Sequence, residues 1–271
     1  MDLLFNFIWL IPVYPLLAFV VIVLGLNRNK KASAWLSVAA MVVATLHSWA
    51  IVFSTAGAYA ADAHHGIHVD GWQLVVPWLP TGYSVFNMGF AVDGFTAAML
   101  FMVPFVCLLI FIYATEYMEG YDDVEGYDPH HERFGRYARF FAYVSLFAAG
   151  MLMLVIADNL LLLFIAWEVM GLCSYLLIGF WFDKNYHEDE ALATPSNPIQ
   201  SLFFLRKYAG PEKVSPKRAA LKAFLTTRVV DTLLFAGMLI LWSYAGTLTF
   251  REIFEPSVLE HLSEVTLWGM P

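Results

Sequence analysis

Long apolar stretches separated by brief polar punctuation set the layout of this chain. Phe7 to Leu26 is the first, stopped by Asn27-Arg28-Asn29-Lys30-Lys31. Ala34 to Phe53 is the second and fades into a Gly/Ala/His stretch, and a third runs from Phe90 to Tyr113. Phe140 to Phe182 holds only two formal charges, Asp158 and Glu168. As one helix it would be about 65 Å long, roughly twice the ~30 Å hydrocarbon core of a bilayer. It is therefore expected to cross twice, turning at Ala157-Asp158-Asn159. Ala219 to Tyr244 is the last run. Apolar runs of about 20 residues read as membrane-spanning helices. The pattern predicts an all-α, polytopic membrane protein with about six transmembrane helices.

The polar punctuation gives the orientation. Arg28, Lys30 and Lys31 lie between spans one and two, and Arg133, Arg136 and Arg139 between three and four. Lys184, Arg206, Lys207, Lys213, Lys217 and Arg218 lie between five and six, with Lys222 just inside the last span. The alternate loops are nearly bare of Lys and Arg. Because basic loops stay on the cytoplasmic or equivalent side, both termini are expected outside, N-out and C-out. The outer stretch from His64 to Met88 is rich in Trp, Pro and Gly, which suits a short hairpin or an interfacial segment. The inner stretch from Asp183 to Lys217 carries four prolines and reads as a long irregular connection.

Composition sharpens this picture. Only 14% of the residues are charged and 60% are hydrophobic, whereas a soluble domain carries about 25% charged residues. The net charge of −8 argues against nucleic acid as a partner. Cys107 and Cys173 lie inside apolar runs and read as small packing residues. The first run begins almost at Met1 without a basic leader, so it reads as a retained helix. No dinucleotide fingerprint, P-loop or nucleophile elbow is present.

Charges inside the apolar runs are the candidate chemistry. Glu168 lies near the middle of LLLLFIAWEVMGLCSYLLIGFWF, where a carboxylate costs about 2.5–3.5 kcal/mol on insertion scales. Such acids mark an ion or proton path, or else a buried structural pair. Desolvation favours the protonated acid and a nearby cation favours the ionised one, so a moving partner would load and unload a proton. Arg228 and Asp231 stand at i, i+3 and share one helix face. They either neutralise each other or join a switchable network with Glu168 or Lys222. Lys222 either snorkels to the headgroups or turns inward. Asp158 suits a tight interhelical turn at the outer face, with a functional role as the alternative. Asp93 opens span three, where it acts on the helix N-terminus or joins a proton path; Glu116, at the inner end of that span, has the same two readings. His47 is a packed imidazole or a relay. His64, His65, His68, Asp62 and Asp70 are metal-like residue types without a firm ligand spacing. Gly171 and Gly179 are expected to permit close helix packing.

Three motifs carry a resemblance. Trp167-Glu168-Val-Met-Gly171-Leu-Cys173-Ser-Tyr-Leu-Leu-Ile-Gly179-Phe-Trp181 resembles the WE-x-x-G-x-CSYLLIGFW signature of chain L of the proton-pumping NADH:quinone oxidoreductase, respiratory complex I. Lys222-Ala-Phe-Leu-Thr-Thr-Arg228-Val-Val-Asp231 is similar to the family's KAF-x-x-x-R-x-x-D, and Val92-Asp93-Gly94 is a weaker third match. The resemblance covers essentially the whole chain. It implies a membrane-arm subunit with a partial antiporter-like fold, in which Glu168, Arg228, Asp231 and Lys222 correspond to the family's intramembrane charges. Residues 1–137 would form an N-terminal three-helix region with an outer loop at 56–89. Residues 138–271 would begin the proton-translocating region, helices four to six. No cofactor is expected in this chain; FMN, iron–sulfur clusters and quinone would sit in partner subunits.

The departures shape the expectation as much as the matches do. Family members are much longer and bear a lysine on the span after the sixth, whereas here the segment from Thr247 ends on Leu267-Trp268-Gly269-Met270-Pro271, which looks like the start of another span. The expected arrangement is an N-terminal portion that works beside other membrane-arm subunits, or with a second chain supplying the missing helices. It would sit in a bacterial inner membrane, an organelle inner membrane or a thylakoid membrane. A large subunit of a cation/proton antiporter, an inorganic-carbon uptake complex and a non-conducting scaffold are the alternatives.

Overall fold

The computed structural model describes residues 5–27, 29–62, 72–80, 85–119, 136–182 and 215–264. Helix α1 (Leu10–Val21) continues into a π-helical turn (Ile22–Leu26), and α2 spans Lys30–Asp62. Strands β1 (Trp72–Pro80) and β2 (Val85–Val92) follow, then α3 (Gly94–Glu119), α4 (Arg136–Val155), α5 (Leu160–Ile178) and α6 (Pro216–Ala245). Two short helices, α7 (Phe250–Ile253) and α8 (Pro256–Glu264), end the described chain. Five helices, α2 to α6, contain stretches long and apolar enough to cross a membrane.

Three predictions need correction. The first apolar run is helical only over Leu10–Leu26, about 25 Å, so among the described residues five long spans and one short apolar helix replace six equal ones. Its chain enters through turns at 7–9, and Pro12 and Pro15 withhold backbone donors near the helix start. The fold is mostly helical rather than all-α, because β1 and β2 pair antiparallel from Trp72↔Val92 to Pro80↔Val85. Residues 90–92 belong to that hairpin and not to span three: Ala91 N–H donates to Ile156 O at 3.0 Å, and the helix starts only after Asp93. There the Asp93 carboxylate caps it, accepting from Thr96 N–H at 2.7 Å. Residues 247–264 include α7 and α8, and Leu267 to Pro271, which look like the start of another span, lie outside the described residues.

The core lies where α1 to α4 meet. Ile11, Met41, Leu100, Phe111, Phe141 and Leu152 are fully buried there. Inside an apolar bundle, polar groups must be satisfied within the protein. Ser145 Oγ donates to Ser37 Oγ at 3.1 Å between α4 and α2. Pro104 lies inside α3, and α2 reaches the carbonyls there: Trp49 Nε1 donates to Phe101 O at 3.0 Å, and Thr45 Oγ1 to Pro104 O at 3.2 Å. Gly150 lets α4 approach α5, since a Cβ there would meet Met170 Cγ at 3.1 Å and Ala166 O at 3.3 Å. Cys107 and Cys173 are buried. His47 packs against Tyr14, whose hydroxyl lies 3.4 Å from its Nδ1.

Helix α6 leans chiefly on α5 and is the least buried of the five spans, α4 the most. Gly179 allows that contact, with the Ala220 Cβ 3.1 Å from where its own would be, whereas Gly171 faces open space and packs nothing. The starts of α2, α4 and α6 carry Lys30 and Lys31, Arg136 and Arg139, and Lys217 and Arg218, all at one end of the bundle. The hairpin closes the other end. Phe5 stacks near Trp72 there, ring centroids 5.7 Å apart, so the beginning and the end of the described chain share the hairpin side.

Candidate functional site

Midway along α5, two consecutive residues reach across to α6. Glu168 lies eight residues past Leu160, about 12 Å from the hairpin end of a helix about 28 Å long. Its carboxylate forms an ion pair with the Arg228 guanidinium. Its neighbour Trp167 donates its indole N–H to Asp231 Oδ1 at 3.0 Å. Arg228 and Asp231, one helical turn apart, are thus each bound across to α5 rather than to one another. Asp231 is 6% exposed and Glu168 21%, while Arg228 keeps 37% and covers the Phe224 ring at 4.7 Å. Aromatic pairs close the seam on both sides: Phe164 with Phe235 toward the hairpin end, and Tyr175 with Phe224 toward the basic end.

The charge count of this cluster matters more than any single contact. One guanidinium stands beside two carboxylates, so the three groups carry a net charge of −1 when both acids are ionised. A single proton brings them to neutrality, the charge state that an apolar interior favours.

Two family models match the chain. One, described as complex I NADH-ubiquinone oxidoreductase chain 5 N-terminus, matches residues 78–141. The other, the transmembrane region of NADH:quinone oxidoreductase and Mrp antiporters, matches residues 157–194 and 198–269, and so contains every member of the cluster. The chain belongs to the complex I chain 5/L family. It is 35% identical over 256 residues to NAD(P)H-quinone oxidoreductase chain 5 of a Synechocystis strain, covering 94% of this chain and 31% of that one. To NADH-quinone oxidoreductase subunit L of Escherichia coli it is 34% identical over 269 residues, 97% of this chain and 35% of the relative. To F(420)H(2) dehydrogenase subunit L of Methanosarcina mazei it is 35% identical over 238 residues. The chain spans about a third of the length of the curated relatives it matches.

In this chain 5/L family member, Glu168, Arg228 and Asp231 come together and the other two sequence candidates do not join them. Lys222 is exposed. It precedes Asp231 by nine residues, half a turn out of phase at 100° per residue, and so lies on the face of α6 turned away from α5. Asp158 sits at the hairpin end, 2% exposed, where it is the knot of three segments. Its N–H donates to Gly89 O and its carbonyl accepts from Phe250 N–H, both at 3.0 Å. Its carboxylate accepts from Gln73 Nε2. Burial pushes that carboxyl above its usual range and Glu252 adds to the rise, while the Gln73 bond and Arg251 hold it back. Asn159 caps α5 by accepting from Leu162 N–H at 2.7 Å. A cavity of about 850 Å³ opens beside this knot, lined by Asp93, Thr96, Asp158, Phe250, Arg251 and Phe254.

Among the described residues, no group of three or more His, Cys, Asp and Glu is placed to hold a metal. Glu116 is exposed toward the basic end of α3. His64, His65, His68 and Asp70 lie outside the described residues. Trp167 is the residue that sequence reasoning missed. Its signal was present: an indole N–H in the middle of an apolar helix needs an acceptor, and the nearest polar helix is α6.

Proposed function

We propose that this chain is a membrane-arm subunit of a proton-translocating NADH:quinone oxidoreductase, with Glu168 as the group that takes up and releases the proton. The observation that carries this reading is the single Arg228 cation set against two acids in an apolar seam. Motion of Arg228 toward or away from Glu168 changes whether that acid prefers to be ionised. The seam is made of side chains between two sparsely packed helices, so such motion needs no backbone rearrangement.

Catalysis of electron transfer belongs to other chains in this reading. FMN, iron–sulfur clusters and quinone are assigned to partner subunits, which the present chain joins through the bilayer-embedded faces of its helices. The relative named as an F(420)H(2) dehydrogenase subunit supports this division, because a different electron donor accompanies a similar membrane chain. With α1 counted as a short sixth crossing, both ends of the chain face outward and the basic ends of α2, α4 and α6 face the cytoplasm or its equivalent. A bacterial inner membrane is the location this reading takes. Lys222 would then snorkel to the headgroups on the basic side.

Glu168→Gln in the assembled complex, reconstituted in liposomes, tests the reading. Proton uptake should fall by about tenfold or more with assembly retained, the range that loss of a positioned proton carrier commands. Wild-type uptake at normal assembly would sink it. A cation/proton antiporter is the second reading, since the matching transmembrane model is described for both. Co-purification separates the two: flavin and iron–sulfur subunits accompany the chain in the first case only.

A further inference from the structure

We propose that Trp167 is a positioning residue for the Glu168–Arg228 pair: by holding the Asp231 carboxylate, its indole N–H keeps that acid from competing for the Arg228 guanidinium. The inference rests on the proton-carrying reading of Glu168 and adds a residue that decides how its cation is shared.

Asp231 and Arg228 are three residues apart on one helix, a spacing at which oppositely charged side chains meet, about 5–6 Å between Cβ atoms. Left to themselves they would pair along α6. The structure has the crossed arrangement instead, with Asp231 on Trp167 and Arg228 on Glu168. An indole N–H is a donor only and does not titrate, so it occupies an acceptor site on Asp231 without adding charge. Asp231 is buried. The neutral donor therefore frees the cation for Glu168. Without it, the same three charged groups have a second arrangement, with Arg228 drawn to Asp231 and Glu168 left without its counterion.

Packing does not account for Trp167. Its side chain is 47% exposed, so the ring fills no core position. Nor is it an interfacial anchor, since it lies seven residues inside α5, about 11 Å from the outer end of the helix. What the structure uses is the N–H.

Two measurements on the intact multisubunit complex test this. In liposomes, Trp167→Phe keeps the ring and removes the donor; proton uptake per turnover should fall about tenfold, in keeping with loss of a hydrogen bond to a charged group. In an Asp231→Asn background the same change should add no further loss, because the competitor for Arg228 is gone. Equal losses in both backgrounds would make Trp167 a packing residue and overturn the proposal, as would wild-type uptake in Trp167→Phe. Ultraviolet resonance Raman reads the bond itself. The wild-type minus Trp167→Phe difference isolates this indole, and Asp231→Asn should move its N–H-sensitive band toward weaker hydrogen bonding. An unmoved band overturns the proposal. Wild-type uptake in Glu168→Gln would remove the proton-carrying reading while leaving the Raman result standing, so the two failures are separable.

Discussion

Asp158 and Glu168 are ten residues apart on either side of one helix start, and the protein treats them in opposite ways. Asp158 commits its amide, its carbonyl and its carboxylate to β2, α7 and β1 respectively. Moving it means parting three segments. Glu168 has its main chain in regular helix, and only its side chain engages α6. Moving it takes a change of rotamer. A buried acid alone therefore says little about function. An acid bound through its backbone is architecture, and one bound only through a side chain to a thinly packed neighbour is free to change partners.

The sharpest way to break this contrast is Arg228→Ala, which leaves two carboxylates in the seam without their cation. Removing the cation leaves its partner's charge uncompensated in an apolar seam. The expected outcome is loss of proton uptake with several-fold less subunit in the assembled complex, read by liposome assay and native gel. Normal uptake would mean the cluster is idle. Next comes Gly89→Ala, because a Cβ there would lie 2.7 Å from Asp158 Oδ2. The clash should cost about 1–3 kcal/mol and speed hydrogen exchange across residues 85–92, while Glu168-dependent uptake survives better than in Arg228→Ala.

The smallest effect concerns pH. The Asp158 carboxyl is raised in the folded protein, chiefly by burial. Its protonated form is thus the favoured one, and the stability it lends is fully present below the unfolded value near 4. That stability is lost as pH climbs through the raised folded value. Hydrogen exchange in the hairpin should accelerate over that window. Asp158→Asn keeps an acceptor for Gln73 and should flatten the dependence. A dependence that persists in the variant would move its origin away from Asp158.

Much of this was legible in the sequence because it is local. Run lengths located the spans, the depth of Glu168 marked the cluster, and the Asp93 cap and the break at Ala157-Asp158-Asn159 follow from neighbouring residues. What was illegible depends on segments distant in the chain. Residues 90–92 look like the start of a span until Ile156 O supplies a partner for Ala91 N–H. Arg228 and Asp231 look like a closed pair until α5 offers each a separate partner. Gly171 and Gly179 look alike, yet only one of them faces α6.

The proline in α3 has a mechanical corollary. Thr45 and Trp49 of α2 clip onto the oxygens of Pro104 and Phe101, so sliding these two rods by one turn would break both bonds and take the Trp49 indole N–H away from its acceptor. That half of the molecule behaves as a stator. In the proposed membrane-arm role, a stroke delivered by neighbouring subunits would be taken up at the far edge, at the thinly packed α6.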